Sequence, residues 1–231
     1  MDKIGSDEAQ TYVVEHLDPE LGPWSALEYQ AIAQDSASAG VNFCLSSVSR
    51  ELELPSELRA ISNLVIEHQS VEDIFKDDKD RVCLLDPAAK TELNPDDAAK
   101  FDVFLFGGIL GDDPPRDRTS ELRKKGFNGR RLGPVQMTTD TAVRVTRMVV
   151  QQKDQIPYVD YPELPIDEHE STEMPFRYVK DADGLPVMPK VMKSPSDFLD
   201  SISQDALTDR LLQGMIDLIK KDSEKGFGDL L

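Results

Sequence analysis

Histidine and cysteine are scarce in this chain, with three and two among 231 residues. His16, His68 and His169 are far apart in sequence, so no spacing suggests a metal site, and none is expected. Cys44 in "VNFCLSS" and Cys83 in "RVCLLD" each lie in an apolar run, where a cysteine reads as a small buried hydrophobe rather than half of a disulfide. No apolar stretch approaches the ~20 residues a membrane span needs. The N-terminal "MDKIGSDEAQ" is polar and lacks the apolar core of a signal peptide, so a cytoplasmic protein is expected. Several chemistries are also absent as motifs. There is no G-x-x-x-x-G-K-[ST] phosphate loop, no H-E-x-x-H and no G-x-S-x-G, and "GGILG" lacks the dinucleotide-binding spacing.

Positive charge is the other shortage. Twenty-six Lys and Arg face 44 Asp and Glu, for a net charge of −18. Such a surface repels nucleic-acid phosphates on average and attracts basic proteins. With 39% hydrophobic residues the chain can still bury a substantial core.

The runs that are present alternate between two periods. "TYVVEHL", "VNFCLSSV", "RVCLLD", "DVFLFGG" and "NGRRLG" read as strands. "WSALEYQAIAQDSAS" reads as a helix with Trp24, Leu27, Ala31 and Ile32 on one face, stopped by Gly40. "PSELRAIS", "NPDDAAKF" and "RTSELRKKG" are short helix candidates. Residues 67–80 are expected to loop over the surface. "TTDTAVRVTRMVVQQK" predicts a helix capped by Thr138 or Thr139, with Ala142, Val145, Met148 and Val149 buried. Strands alternating with helices at this spacing imply an α/β fold with a mostly parallel sheet. Beyond Lys153 the chain becomes proline-rich, with "FRYV" as a strand and "DADG" as a hairpin turn. The expected division is a core over 10–153 and an extension over 154–231, with a flexible insertion at 190–204. A closing helix carries Leu207, Leu211, Met215 and Leu218 on one face.

Three loops follow predicted strands: "LLDPAA", "FGGILGDDPPRDRT" and "RRLGPVQMTTDTA". Open α/β sheets bind ligands at such strand ends. Small residues and few ionic side chains there suit a neutral, partly apolar ligand held by main-chain groups.

The strings "RVCLLDP", "KFDVFLFGGILGDDPPRDRTSELR", "RRLGPVQMTTDTA", "DYPEL" and "TEMPFRYV" closely resemble a eukaryotic branch of the SPOUT methyltransferases that includes a protein arginine methyltransferase of a small-subunit ribosomal protein. The resemblance runs from about Tyr12 to the C-terminus. It implies helices on both faces of the sheet and a deep trefoil knot, with residues 130–152 threaded through the loop at 107–116. It also implies S-adenosylmethionine in a pocket with three walls. Leu85, Asp86 and Pro87 form one, and Gly107, Gly108, Ile109, Leu110 and Gly111 the second. Leu132, Gly133, Gln136, Met137, Thr138 and Thr141 form the third. This branch is similar to the monomeric SPOUT enzymes rather than the dimeric ones.

An arginine substrate stays protonated at ordinary pH, and carboxylates can grip and orient it. Asp160–Glu173 is acidic, without Lys or Arg. Within it Glu163 and Glu173 lie in the strings that carry the resemblance and are the expected guanidinium ligands, with Asp160 and Asp112 behind them. Asp167, Glu168 and Glu170 read as solvated. Tyr161, Phe176 and Tyr178 are candidates for the channel wall. Arg116, Arg118, Arg123, Lys124, Lys125, Arg130 and Arg131 form a basic island, read for most of the seven as an exposed helix face plus internal ion pairs, with contact to the cofactor carboxylate (Arg116 or Arg118) or to RNA as the alternative. The expected activity is monomethylation of an arginine on a basic small-subunit ribosomal protein, without direct RNA binding and away from membranes. The alternatives are a SPOUT-type rRNA or tRNA methyltransferase, or a non-catalytic chaperone for ribosomal proteins.

Overall fold

The computed structural model describes residues 10–108, 118–151, 155–165 and 171–189. The expected insertion at 190–204, the closing helix and residues 109–117 lie outside them.

Six strands form one wholly parallel sheet: β1 (Thr11–Glu15), β2 (Asn42–Ser46), β3 (Leu64–Ile66), β4 (Val82–Leu85), β5 (Val103–Gly107) and β6 (Asn128–Arg130). Their order is β3-β2-β1-β5-β4-β6. The central strands β1, β2, β4 and β5 are largely apolar on both sides because both faces are covered. Tyr12, Val14, Phe43, Leu45, Cys83, Leu85, Phe104 and Phe106 point to one core. Val13, Cys44, Val82, Leu84, Val103 and Leu105 alternate with them into the other. Both cysteines are free and buried, and burial pushes each thiol up to about 12.

The first face is covered by α1 (Pro23–Ala39), α2 (Ser56–Arg59), α5 (Thr139–Val150) and a 3-10 turn at Pro95–Ala99. The second is covered by α3 (Val71–Ile74) and α4 (Arg118–Lys124). Helices on both faces match the expected architecture. Gly40 ends α1 at φ 68°, its N–H donating to the Ser36 and Ala37 carbonyls, as a glycine cap should.

Three expectations change. Residues 67–80 are not all surface loop, because α3 inserts Val71 and Phe75 into the core. The buried face of α1 is Ser25, Glu28, Tyr29, Ile32, Ala33 and Ser36, with Leu27 and Ala31 only half-buried. This face is partly polar because it meets α5, where Glu28 accepts from Thr139 N–H at 3.1 Å and Asp35 pairs with Arg144. Finally, α5 is buried on two sides. Val143 and Val150 pack toward the sheet, while Val145 packs with Met137 and Val179.

Beyond α5, β7 (Tyr158–Asp160) pairs antiparallel with β10 (Arg177–Val179), and β8 (Glu163–Pro165) with β9 (Ser171–Glu173). "DADG" makes the predicted turn: Gly184 is at φ 81°, and Asp181 Oδ1 accepts from the N–H groups of Asp183 and Leu185.

Candidate active site

In a parallel sheet all strands end at one edge, and β4, β5 and β6 are adjacent. Two of the three predicted loops are knit together there. Asp86 N–H donates to Arg130 O at 2.8 Å, and Leu93 N–H to Arg131 O at 2.9 Å. Ile109, Leu110, Gly111 and Asp112, and most of the loop the knot would use, lie outside the described residues.

In the first loop, Pro87 is exposed while Leu85 belongs to the core. Asp86 is buried and turned inward. Its carboxylate accepts from Arg123 Nε at 2.5 Å and Nη2 at 2.8 Å, and from Ala88 N–H at 2.9 Å. Burial alone would raise its pKa, but the Arg123 and Ala88 bonds outweigh it and hold the carboxyl below its ordinary value. Its side chain therefore braces the loop.

Gly107 and Gly108 have neighbours from the chain itself. A Cβ on Gly108 would lie 3.3 Å from the Tyr29 hydroxyl and 3.5 Å from Glu15 O. A Cβ on Gly107 would meet Thr119 and Leu122 at 3.6 Å, an ordinary contact. At Gly108 the close neighbour is thus α1. The Tyr29 hydroxyl is 3.0 Å from His16 Nδ1, which places α1 against the end of β1.

The third loop divides in two. Leu132 and Gly133 are half-buried and Gln136 is exposed. Gly133, at φ 100°, has nothing within 4 Å of where a Cβ would sit, so its backbone faces open space. Met137, Thr138 and Thr141 are covered by protein. Thr138 occupies the N-cap position, yet its Oγ1 donates to Thr141 Oγ1 at 2.9 Å and caps no N–H. The orphan N–H of Thr139 is satisfied by Glu28 instead.

Sequence reasoning missed what surrounds that N-terminus. Asp140 is buried, and neither of its oxygens achieves full hydrogen-bond geometry, although Thr138 and the Thr141 N–H are close. Burial dominates and pushes its carboxyl up, with Asp35 adding to the rise and Thr138, Thr141 and Arg144 opposing it. The buried Tyr178 phenol is pushed up by burial and by the nearby Asp140 and Glu28. A faint signal existed: "TTDT" puts a carboxylate amid residues otherwise read as a helix cap.

The extension is hooked to this loop through Arg177. Its N–H donates to Gln136 O at 2.9 Å, and its guanidinium holds Asp160 at 2.6 and 2.9 Å and lies over the Tyr158 ring at 4.6 Å. Asp160 is consequently held in an ion pair with Arg177. Glu163 and Glu173 differ. They are register partners in the β8–β9 ladder, and Met174 N–H donates to Pro162 O just outside them. That makes them a non-hydrogen-bonded pair, the arrangement that brings opposed side chains closest. Both are exposed, and among the described residues neither is in an ion pair. Of the three aromatic candidates, Tyr178 is core and Phe176 is half-buried. Tyr161 is 48% exposed at φ 52°, an uncommon backbone for a bulky residue, beside this acid pair.

Most of the basic island is structural. Arg123 holds Asp86, Arg130 holds Asp97, Arg131 holds Glu92 and Lys125 holds Glu72. Among the described residues no three His, Cys, Asp or Glu side chains are grouped to bind a metal, and no helix is long and apolar enough to cross a membrane.

Comparison with known proteins gives the family. The family described as protein arginine N-methyltransferase SFM1-like matches residues 11–204. Protein arginine N-methyltransferase SFM1 of Saccharomyces cerevisiae is 40% identical over 236 residues, covering 95% of this chain and 99% of the relative. The crystal structure of the yeast enzyme complexed with SAM aligns with a TM-score of 0.70 at 39% identity, over 94% of this chain and 92% of that one. Its complex with SAH also gives 0.70, at 41% identity over 79% and 92%. A full-length Trm10–SAH complex, 10% identical with a TM-score of 0.50 over 63% and 89%, shares the fold. The chain belongs to the SFM1-like family of protein arginine N-methyltransferases.

Proposed function

We propose that this chain is an S-adenosylmethionine-dependent protein arginine N-methyltransferase in which Glu163 and Glu173 together grip the substrate guanidinium. The observation that carries the assignment is the acid pair itself. Like charges opposed across a ladder repel each other and lower stability. A guanidinium bridging the two would relieve that repulsion with charge-assisted bonds.

The loops fit the cofactor by their chemistry. Pro87, Leu132 and the open backbone at Gly133 supply apolar and main-chain surface with few fixed charges, which suits an adenosyl group. When bound, the cofactor supplies a methyl group on a sulfonium. The protein then has to orient and hold the nucleophile. Two carboxylates on one face of β8–β9 fix the guanidinium plane and present one terminal nitrogen, so positioning carries much of the catalysis. The Arg177–Gln136 bond ties that hairpin region to the cofactor loop. The substrate we infer is a basic small-subunit ribosomal protein, monomethylated by a cytoplasmic monomer, with the knot at 107–152 and the division near 153 part of the same reading. Neutralisation of the basic island by internal carboxylates speaks against an RNA substrate.

The test incubates the protein with radiolabelled S-adenosylmethionine and methyl-deficient ribosomes, then separates RNA from protein before counting. Label is expected in protein, and label in RNA would overturn the reading. Glu163→Gln and Glu173→Gln are each expected to keep cofactor affinity while losing turnover by at least tenfold. Full activity in both variants would remove the clamp.

A further inference from the structure

Beyond the methyl-transfer site, the same edge of the sheet carries a second concavity on the opposite side of β1. It is a cavity of about 310 Å³ at the ends of β2 and β3, lined by Val48, Leu52, Leu54 and Ile66 with Ser49, Arg50, Arg59 and His68. Its volume lies at the lower end of small-molecule clefts, roughly 300–1,000 Å³.

The charges in it are unusual for this molecule. Arg81, Arg123, Arg130, Arg131, Arg144 and Arg177 are each held by a carboxylate. Arg50, Arg59 and Arg147 are not, among the described residues, and the first two line this one cavity. In a chain with 44 acids to 26 bases, two arginines without carboxylate partners lining a single hollow suit an anion from outside. His68 belongs to the wall and not to the anion-holding groups. Its Nδ1 is 2.7 Å from Val48 O, an acceptor only, so Nδ1 carries a proton there and the ring is fixed. Ser49 Oγ accepts from Glu51 N–H at 3.2 Å, which leaves its own hydroxyl proton to donate.

We propose that this cavity is a binding site for a small organic anion, with a phosphate or carboxylate head held by Arg50 and Arg59 and an apolar body against Val48, Leu52, Leu54 and Ile66. An extended polyanion fits poorly. Glu51, Glu53 and Glu57 lie between the two arginines along the chain and are exposed, so a nucleic-acid backbone would meet them, whereas the lining of the hollow contains no acid. The site stands independently of the methyl-transfer assignment, since none of its residues belongs to the cofactor loops or the acid pair.

The test is titration calorimetry of the full chain in chloride buffer, with inorganic phosphate, phenyl phosphate and benzoate as probes. Saturable binding is expected, with phenyl phosphate at least fivefold tighter than inorganic phosphate because only it fills the apolar wall. Benzoate measured against phenyl phosphate tells a carboxylate site from a phosphate site. The double variant Arg50→Gln/Arg59→Gln should weaken the favoured probe at least tenfold. Both arginines are exposed, so the fold should survive, and unchanged S-adenosylmethionine affinity in the variant verifies this. If the variant fails that check, Arg50→Gln and Arg59→Gln are measured singly and each should weaken binding at least threefold. Absence of saturation with every probe, or equal affinity in the variants, would overturn the proposal.

Discussion

At the scale of single residues, burial decides the behaviour of charge. Asp140 and Asp86 are both buried carboxylates, displaced in opposite directions. Asp86 faces the fork of Arg123, whereas Arg144, the cation beside Asp140, is already held by Asp35. A raised folded pKa means that the stability Asp140 contributes is full below the ordinary carboxylate range, about pH 4. It is lost as pH rises through the folded value. Asp140→Asn should therefore gain stability relative to wild type between pH 4 and pH 8, by more than the ~0.5 kcal/mol typical of surface changes. Urea melts across that range would measure it, and a pH-independent difference would contradict it. Asp86 carries the opposite sign, its contribution being present above about pH 4 and lost in acid. Gly108 offers a second test. Its missing Cβ leaves room for Tyr29, so Gly108→Val should cost ~1–3 kcal/mol in a denaturant melt through overpacking. Loss of cofactor affinity at unchanged stability would instead place a ligand at that backbone.

At the scale of elements, α5 holds the site together. Its first turn is capped from another helix, and its two sides pack on the sheet and on the β7–β10 pair. Glu28→Ala should release the Thr139 N–H, costing about 1–2 kcal/mol as the loss of a cap. The freed turn adjoins Met137 and Thr138, so the cofactor dissociation constant should rise several-fold. Glu28→Gln keeps an acceptor oxygen and should be milder in both measurements. An equal effect of Ala and Gln on melting and cofactor titration would show that charge, not capping, is what Glu28 provides.

Legibility also differed by element. The central strands were plain in sequence, because a strand covered on both faces has to be apolar throughout, and "RVCLLD" and "DVFLFGG" are. The edge strand β3 was missed, because its three residues, one of them exposed, make too short a run to read. The one-turn α3 was not, because Val71 and Phe75 are two apolar residues in a polar stretch, too few to show a period. The face of α1 was misjudged for a related reason. Apolar periodicity finds the side that meets a hydrophobic core, and α1 meets α5 through Glu28 and Asp35.

At the scale of the whole molecule, a net charge of −18 acts on encounter more than on the bound state. A basic protein substrate should associate several-fold more slowly between about 50 and 200 mM salt as screening shortens its reach. The cofactor's affinity should change little over the same range. Stopped-flow association against cofactor titration would separate the two, and equal salt dependence would argue against electrostatic recruitment.

The chain's own pattern determined the parallel α/β architecture, the positions of the strand-end loops and the family, since each is written in local runs of residue type. Only the tertiary structure decided which carboxylates are paired within the protein. Asp160, Glu163 and Glu173 are alike in sequence, yet Arg177 occupies the first, while the β8–β9 register opposes the other two in the open. Partners such as Arg177 for Asp160 and Arg123 for Asp86 come from distant segments. Whether a charge is spent on the protein or kept for a ligand is settled only when those segments meet.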